Sequence, residues 1–287
     1  MNWVSILYWL LGRKVQRRFY PRNLTSELRN KLIKKYWESK RRLIMLDYDG
    51  TLVPFADKPC EAKPDEDVLR ALRSLSQKKG NEVVIVSGRD RMFLDEWFGG
   101  IPLSLVAEHG AWIKEKDAEW RLVMPMEDGW KRKFFPVLRH YVSITPGSFL
   151  EEKDSSLVWH YRMADPVAGE MSARELKNNI TGLAARFNLE VLEGNRTIEI
   201  KVAGVNKGTA ALRWISKGGW DFVLAVGDDA TDEDMFAVLP SSAYSIKVGT
   251  SPSRARFTVR SVEEVRLLLK EMACEPLGVE LGRPKTN

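Results

Sequence analysis

Two aspartates, Asp47 and Asp49, end a run of large apolar residues in "RLIMLDYDGTLVPF" (42–55). Residues i and i+2 of a strand point to the same side, so both carboxylates should converge beyond the carboxyl end of that strand. Ligands of open α/β sheets bind at this edge. The pair alone could also begin a calcium loop or cap a turn, but residues 51–53 are not the usual run of calcium ligands.

Three other segments bring polar groups to the same edge. "VVIVSGR" offers Ser87 with backbone amides, and "VNKGTAA" places Lys207 at the start of a helix, where its charge and the helix dipole favour an anion. "LAVGDDATDED" ends another apolar strand with Asp228, Asp229 and Asp232. Carboxylates from two strand ends are suited to Mg²⁺ together with water and a phosphate.

This set of residues predicts phosphoryl transfer. One aspartate attacks phosphorus and forms an aspartyl-phosphate, and a second protonates the leaving alcohol and later activates water. Mg²⁺, Lys207 and Ser87 neutralise charge on the transferring group. Each part has an ordinary alternative: Lys207 as a solvated lysine, Ser87 and Gly88 as a turn, Asp232 as a first-turn acid. Their joint occurrence, each at a strand end or helix start, favours the catalytic interpretation.

The surrounding elements predict an α/β fold. A helix over 64–80 lies between the strand that ends at Asp47 and a strand over 82–89, which is the repeating unit of a parallel sheet. From about residue 114, short alternating strands flank two helices, one of them (128–143) expected to kink or break at Pro136. The alternation of helices and apolar strands that is typical of a parallel sheet then resumes. We expect a Rossmann-like parallel-sheet core with an inserted α+β cap domain, divided as follows: basic helical leader 1–40, core 41–113, cap 114–202, core 203–273 and tail 274–287.

Composition excludes several classes of protein. The net charge is +6, but residues 1–42 hold twelve Lys or Arg and two Asp or Glu, a net of +10, so the remainder carries 6 − 10 = −4. The basic character therefore belongs to the leader, and no nucleic-acid partner is expected. Two cysteines and three histidines exclude a disulfide framework and a zinc site of the usual spacing, and they favour a cytoplasmic location.

Four motifs resemble those of haloacid dehalogenase-superfamily phosphatases: "LDYDGTL", "VSGR", "NKG" and "GDDATDEDMF". With "AEHGAW" and "PGSFLEEKDSSLVWHYRMADP", residues 42 to 272 resemble the trehalose-6-phosphate phosphatase family. The resemblance implies a haloacid dehalogenase-like fold and a Mg²⁺-dependent phosphatase that hydrolyses trehalose 6-phosphate. It implies that Asp47 is the nucleophile and Asp49 the general acid/base, with Ser87 and Lys207 holding the phosphoryl group.

The same resemblance implies the remaining site residues. The metal ligands would be Asp47, Asp49 through its carbonyl, and Asp228, with Asp232 in or next to the metal shell. Strand alternation places a polar face on the cap that could hydrogen-bond a disaccharide, although it could also be an ordinary solvated sheet face. The expected substrate-binding residues are Thr51, Gly88, Arg89, Glu108, His109, Glu151, Lys153, Arg162, Glu199 and Asp229.

Two alternatives remain open from the sequence: another sugar phosphatase, such as one for sucrose phosphate, and a non-catalytic regulatory or synthase-binding module. The leader, "MNWVSILYWLLGRKVQRRFY", has an apolar run too short to span a bilayer. It resembles the junction before the phosphatase half of fused synthase–phosphatase proteins. It could pack on the protein's own body, dock a synthase, self-associate or, less readily, lie on a membrane surface.

Overall fold

The computed structural model describes residues 19–123 and 128–275. The strands found in these ranges are β1 (Arg22–Asn23), β2 (Arg42–Leu46), β3 (Asn81–Val86), β4 (Ser104–Ala107), β5 (Trp112–Lys114), β6 (Arg121–Leu122), β7 (Phe149–Glu152), β8 (Ser156–His160), β9 (Leu189–Gly194), β10 (Thr197–Val202), β11 (Phe222–Gly227), β12 (Tyr244–Val248) and β13 (Phe257–Val259). The α-helices in the same ranges are α1 (Ser26–Glu38), α2 (Glu66–Gln77), α3 (Arg91–Phe98), α4 (Lys131–Ile144), α5 (Pro166–Arg186), α6 (Lys207–Ile215), α7 (Asp232–Ala237) and α8 (Val262–Ala273).

The first sheet has the strand order β1-β13-β12-β11-β2-β3-β4-β5-β6. All neighbours from β1 to β4 are parallel, and β5 and β6 complete the edge with antiparallel pairs. In β2, Ile44 and Leu46 pack on one face while Leu43 and Met45 pack on the other, all with no exposed surface. Both faces are therefore buried under helices, as expected for a parallel sheet. The α/β fold predicted from the sequence is confirmed.

Local capping explains where the helices of this layer begin. Asp65 accepts a hydrogen bond from the amide of Val68 at 3.0 Å, so α2 begins one residue after the first acid of the "PDED" segment. Asn206 and Thr209 form a reciprocal capping box that begins α6. Such caps satisfy amides that have no partner within the helix, and here they hold Lys207 at the first helical position.

The second sheet is antiparallel, with the order β7-β8-β10-β9. Its apolar face packs against α4 and α5 around Trp159, Ile198 and Ile200, which have no exposed surface. The helix α4 continues through Pro136, so the expected break does not occur. Phe134 and Leu138 on either side of the proline are fully buried, and this packing offsets the roughly 3 kcal/mol cost of an internal proline.

Two segments lie elsewhere than the sequence pattern suggested. The strand β6, expected among the strands of the insertion, pairs with β5 and extends the first sheet. Residues 19–38, expected in the leader, pack on the core: β1 pairs with β13, and α1 buries Leu32 and Tyr36. The strand β1 depends on pairing with β13, which is distant in sequence, whereas β6 joins the first sheet through β5, the strand before it in the chain. Both strands have two residues, too few for a local pattern to indicate these pairings. The predicted leader helix around residues 3–11 lies outside the described residues, as does most of the predicted tail.

Across residues 19–123 and 128–275, no helix is both long and apolar enough to span a bilayer.

Candidate active site

A buried lysine joins two aspartates at the carboxyl edge of the first sheet. The Lys207 ammonium donates to Asp47 Oδ1 at 2.6 Å and to Asp232 Oδ1 at 2.9 Å. Asp47 follows β2, Lys207 begins α6 and Asp232 begins α7. All three side chains are at most 5% exposed. Three elements from separate parts of the chain therefore place these charges together, as the sequence predicts.

Asp232 also organises the loop that follows β11. Its Oδ2 accepts the backbone amides of Asp228 and Asp229 at 2.9 and 3.1 Å. Gly227 makes this approach possible, because a Cβ at this position would lie 2.2 Å from Asp232 Cγ. Asp229 in turn accepts hydrogen bonds from the amide and the hydroxyl of Thr231. The "GDDATDED" segment is thus a loop whose conformation is held by its own carboxylates.

The carboxylates fit a hard cation. One oxygen each from Asp47, Asp228 and Asp232 lies within 4.8 Å of the other two. Asp47 Oδ2 and Asp228 Oδ1 are buried and have no hydrogen-bond partner among the described residues. Buried charged oxygens without a partner are costly, and carboxylate oxygens are the ligands that Mg²⁺ and similar ions prefer. The residues present therefore fit a divalent metal ion.

The pKa values of these buried groups show that negative charge exceeds positive charge at this site. Burial, together with the charges of Asp228 and Asp229, outweighs Lys207 and raises the pKa of Asp47 to about 8. Burial and the neighbouring acids raise the pKa of Asp228 to about 7. Burial alone would lower the pKa of Lys207, but Asp232 and Asp47 raise it well above its usual value, so the lysine is a permanent cation. One lysine cannot neutralise this many carboxylates, and a divalent cation would favour their ionised forms.

Arg89 clamps the second aspartate of the pair. Its Nε and Nη2 donate to Asp49 Oδ2 and Oδ1 at 2.7 and 2.6 Å. The guanidinium lies over the rings of Tyr48 and Trp97, with its carbon 5.3 and 4.9 Å from their centroids. A third nitrogen, Nη1, donates to Pro59 O. Each Asp49 oxygen keeps a second lone pair, so Asp49 can still accept a proton while Arg89 fixes its orientation.

The "SGR" segment is packed tightly between the two sheets. The Ser87 hydroxyl accepts the amide of Arg89 at 3.1 Å, and the Gly88 carbonyl accepts the Lys153 ammonium at 2.9 Å. A Cβ on Gly88 would lie 2.6 Å from the His109 ring. Glycine is therefore required where His109 and the second sheet approach this turn.

A charged network from the second sheet faces this edge. Glu199 accepts the Ser156 hydroxyl at 2.6 Å, lies 3.0 Å from His109 Nε2 and is 3.6 Å from the Lys153 ammonium. Burial alone would raise the pKa of Glu199, but Lys153, His109 and Ser156 outweigh it and hold that pKa well below its usual range. Glu199 is therefore ionised, with both oxygens directed by the surrounding donors.

The outer part of the network contains residues that the sequence reasoning did not select. His160 lies 2.7 Å from Glu151 and stacks on Phe149 with ring centroids 4.4 Å apart. Arg162 donates to Asn195 O at 2.8 Å, and its guanidinium carbon lies 5.1 Å from the centre of the Phe55 ring. The alternation of "HYR" already places His160 on the face of Arg162. Nothing local in the sequence indicates Asn195 or Phe55.

These groups line one open cleft of about 170 Å³ between the two sheets. The expected site residues that line it are Asp47, Asp49, Ser87, Gly88, Arg89, His109, Glu151, Lys153, Arg162, Glu199, Lys207 and Asp229. Four others lie elsewhere: Asp228 and Asp232 behind Asp47, Thr51 in the fully buried loop after β2, and Glu108 against Ser155. The cleft is thus lined by carboxylates on the side of the first sheet, next to the cluster that fits a cation, and by polar and charged side chains on the side of the second sheet.

Comparison with known proteins places this geometry in a family. The family model described as Trehalose-phosphatase matches residues 45–263, which is more than half of the chain. The chain belongs to the trehalose-phosphatase family. The family model covers the second sheet, all of the first sheet except β1 and the start of β2, and every residue that lines the cleft.

Relatives of the trehalose-phosphatase family agree with this assignment. The chain is 41% identical over 243 residues to the bifunctional trehalose-6-phosphate synthase/phosphatase of Thermoproteus tenax, an alignment that covers 85% of this chain and 33% of that protein. It is 38% identical over 242 residues to the trehalose-phosphatase of Saccharomyces cerevisiae, covering 76% of this chain and 27% of that protein. The chain thus spans between about a quarter and a third of the length of these curated relatives.

A solved structure has the same architecture. The C-terminal domain of the trehalose-6-phosphate phosphatase of C. albicans is 31% identical, with a TM-score of 0.83, and the match covers 89% of this chain and 99% of that domain. The trehalose-6-phosphate phosphatase of Aspergillus fumigatus, 38% identical, matches 88% of this chain and 98% of its own with a TM-score of 0.62. The predicted membership of the trehalose-phosphatase family is therefore confirmed.

Proposed function

We propose that this chain is a Mg²⁺-dependent phosphatase that hydrolyses trehalose 6-phosphate to trehalose and phosphate. One observation carries the proposal: the nucleophile candidate Asp47 and the sugar-binding candidates Glu199, Lys153 and Glu151 line the same cleft from opposite sheets. A substrate with a phosphate at one end and a polyhydroxylated ring system at the other fits such a cleft. Membership of the trehalose-phosphatase family supports trehalose 6-phosphate as this substrate.

Asp47 would act as the nucleophile. Its Oδ1 is held by Lys207, and its carboxylate attacks phosphorus while the bond to the sugar oxygen breaks. Lys207 stabilises the charge on the transferring group because it stays protonated and cannot move away from this position. Ser87 and the amides of its turn complete the cradle for the phosphoryl oxygens.

Asp49 would move the protons. It donates one to the departing sugar oxygen and then takes one from the water that hydrolyses the aspartyl-phosphate. Arg89 holds both carboxylate oxygens and thereby orients the group that must serve twice. A fixed orientation should accelerate both proton transfers, because each requires a short distance between Asp49 and the oxygen that gains or loses the proton.

Asp47, Asp228 and the carbonyl of Asp49 would hold Mg²⁺, with Asp232 directly behind them. When bound, the ion supplies positive charge to the phosphoryl oxygens and keeps the carboxylates ionised. The two buried oxygens without partners, on Asp47 and Asp228, support this assignment.

Specificity would come from the second sheet. Glu199 is buried, Lys153 and Glu151 are partly buried, and all three are charged and already oriented by their neighbours, so a sugar that leaves them without hydrogen bonds would be rejected strongly. Both sheets contribute to the cleft, so closure of the second sheet over the first would also exclude water.

A phosphate-release screen tests the proposal. The purified chain is incubated with trehalose 6-phosphate, sucrose 6-phosphate, glucose 6-phosphate and mannose 6-phosphate in the presence of MgCl₂. We expect rapid release from trehalose 6-phosphate and little from the others. Turnover of sucrose phosphate with none of trehalose phosphate would overturn the substrate, and no release from any of the four would favour the non-catalytic alternative.

We further propose that residues 1–18 dock a synthase or a second copy of the chain. The name of the Thermoproteus tenax relative joins a synthase to a phosphatase, which supports such a partner. The truncation should stop at residue 18, because Phe19 pairs with Ser253 and the residues of β1 pair with β13. Removal of residues 1–18 should leave phosphatase activity intact and abolish pull-down of the synthase; unchanged pull-down and oligomeric state would contradict the docking.

A further inference from the structure

Three carboxylates outside the catalytic cluster meet where the two sheets touch. Asp90 caps α3, Glu108 follows β4 and Asp154 lies in the turn between β7 and β8. One oxygen of each lies within 4.8 Å of the other two. Two of these residues belong to the first sheet and the third to the second, and none belongs to the Asp47 cluster.

Glu108 is the buried member of this cluster. It is 1% exposed, and its Oε2 accepts both the amide and the hydroxyl of Ser155. Its Oε1 is buried and has no hydrogen-bond partner among the described residues. Burial raises the pKa of Glu108. A carboxylate oxygen enclosed without a donor is costly, and a cation bound at Oε1 would offset that cost.

None of the basic residues described nearby donates a hydrogen bond to Glu108 Oε1. Arg91 Nε donates to Asp154 Oδ2 at 3.0 Å. Lys153 donates to the Gly88 carbonyl at 2.9 Å. Lys131 donates to the backbone carbonyls of Lys153 and Asp154 at 2.7 and 3.0 Å. The ion pair with Arg91 therefore balances one of the three acids and leaves Glu108 Oε1 without a partner.

We infer that Asp90, Glu108 and Asp154 bind a second divalent cation, of the size of Ca²⁺, that joins the two sheets. Hard cations take carboxylate oxygens, and a Ca²⁺ shell with bonds of about 2.3–2.6 Å spans about 4.6–5.2 Å from one oxygen to the opposite one. Three oxygens that all lie within 4.8 Å of one another are compatible with this shell.

The cation would act on the cleft through the turn that carries Asp154. Lys153 in this turn lines the cleft and lies 3.6 Å from Glu199. An ion that ties Asp154 to Asp90 and Glu108 would hold Lys153 at the mouth of the catalytic site. The inference concerns a binding site and is independent of which phosphate ester the enzyme hydrolyses.

Calcium titration of variants tests this site. Asp228→Asn removes one carboxylate of the catalytic cluster, so calorimetric titration of that metal-free variant with CaCl₂ should report the second site alone, with one ion per chain. Adding Asp154→Asn should weaken the binding at least tenfold. Asp154 has a 41% exposed side chain, so the substitution should leave the fold intact, as circular dichroism would verify.

Arg91→Gln in the same background is the matched control. It removes the ion pair with Asp154 but keeps all three acids, so Ca²⁺ should bind at least as tightly as before. Equal binding with and without Asp154→Asn would overturn the inference, and so would the absence of Ca²⁺ binding to the folded Asp228→Asn variant. If Asp228→Asn does not fold, the wild-type chain should bind two Ca²⁺ and the Asp154→Asn chain one. An unchanged count would then reject the site.

Discussion

The ammonium of Lys207 lies 2.6 Å from Asp47 Oδ1, and the two side chains are 3% and 5% exposed. Lys207 also donates a hydrogen bond to a second carboxylate, that of Asp232. Asp47, in contrast, is paired with Lys207 through one oxygen, and its other oxygen, Oδ2, has no hydrogen-bond partner among the described residues. Loss of either residue should therefore have different effects on folding.

Asp47→Asn should abolish turnover and preserve the fold. The amide cannot attack phosphorus, so we expect kcat to fall by at least about 10³-fold. Lys207 keeps Asp232 as its partner, so thermal unfolding should change little. Phosphate release and a melting curve on the same sample test both expectations, and measurable turnover would refute the assignment of the nucleophile.

Lys207→Met should instead destabilise the protein. It leaves the buried carboxylates of Asp47 and Asp232 without their cation, which costs on the order of 3–5 kcal/mol in a buried site. Denaturant unfolding should show a lower midpoint without a change in slope. Lys217→Met, just beyond the opposite end of α6, where the side chain is 41% exposed, is the control and should be nearly neutral.

Arg89→Lys should lower kcat while KM for trehalose 6-phosphate changes little. Lysine keeps the charge but cannot hold both oxygens of Asp49 in a fork, so the acid/base group loses its orientation. We expect a loss of about 10²-fold, within the range for general acid/base catalysis. An equal rise in KM with unchanged kcat would show that Arg89 binds substrate and does not position Asp49.

Glu199→Gln should damage recognition of the sugar more than the chemistry. The variant weakens the network with Lys153 and His109, so kcat/KM for trehalose 6-phosphate should fall by about 10²-fold or more. Hydrolysis of p-nitrophenyl phosphate, which has no sugar, should stay within about threefold of wild type. Equal losses for both substrates would mean that Glu199 acts on the phosphoryl group or on folding.

Mg²⁺ should stabilise the protein increasingly as the pH rises. The pKa of Asp47 rises from 3.8 to about 8 in the folded metal-free protein, so the folded state binds the proton more tightly than the unfolded state. This stabilisation is fully present below the unfolded pKa of 3.8 and is lost as the pH rises towards 8. A divalent ion replaces the proton, so the increase in melting temperature with MgCl₂ should grow between these pH values. A constant or shrinking increase would contradict the metal assignment.

The proximity of the candidate catalytic residues could be predicted because each follows a pattern that is local in sequence. Asp47 and Asp49 end an apolar strand, and Lys207 begins a capped helix. Because ligands of open α/β sheets bind at the carboxyl ends of the strands, these residues are expected to lie together at that edge. The clamp of Arg89 on Asp49 could not be predicted, because it depends on how two strand ends 40 residues apart are packed by Tyr48 and Trp97.

The absence of a local pattern also explains why the sequence did not place β1 and β6 in the first sheet. The short strands β1 and β6 have two residues each, too few for a period to show, and both gain their structure from partners in the first sheet. Glu108 was expected in the sugar pocket because of its motif. The left-handed backbone at Glu108 and His109, with φ of 47° and 59°, directs Glu108 to Ser155 while His109 lines the cleft.

The position of β11 in the first sheet has a consequence for synthesis on the ribosome. β2 carries Asp47 and pairs with β3 on one side and with β11, about 180 residues later, on the other. The second sheet is made entirely between these two strands, and its pairs join strands that are close in sequence, so it can form first. Asp47 and Asp228 meet only when β11 has left the exit tunnel. The acidic centre is therefore completed only after β11 has joined β2, and catalytic competence should arise late in synthesis.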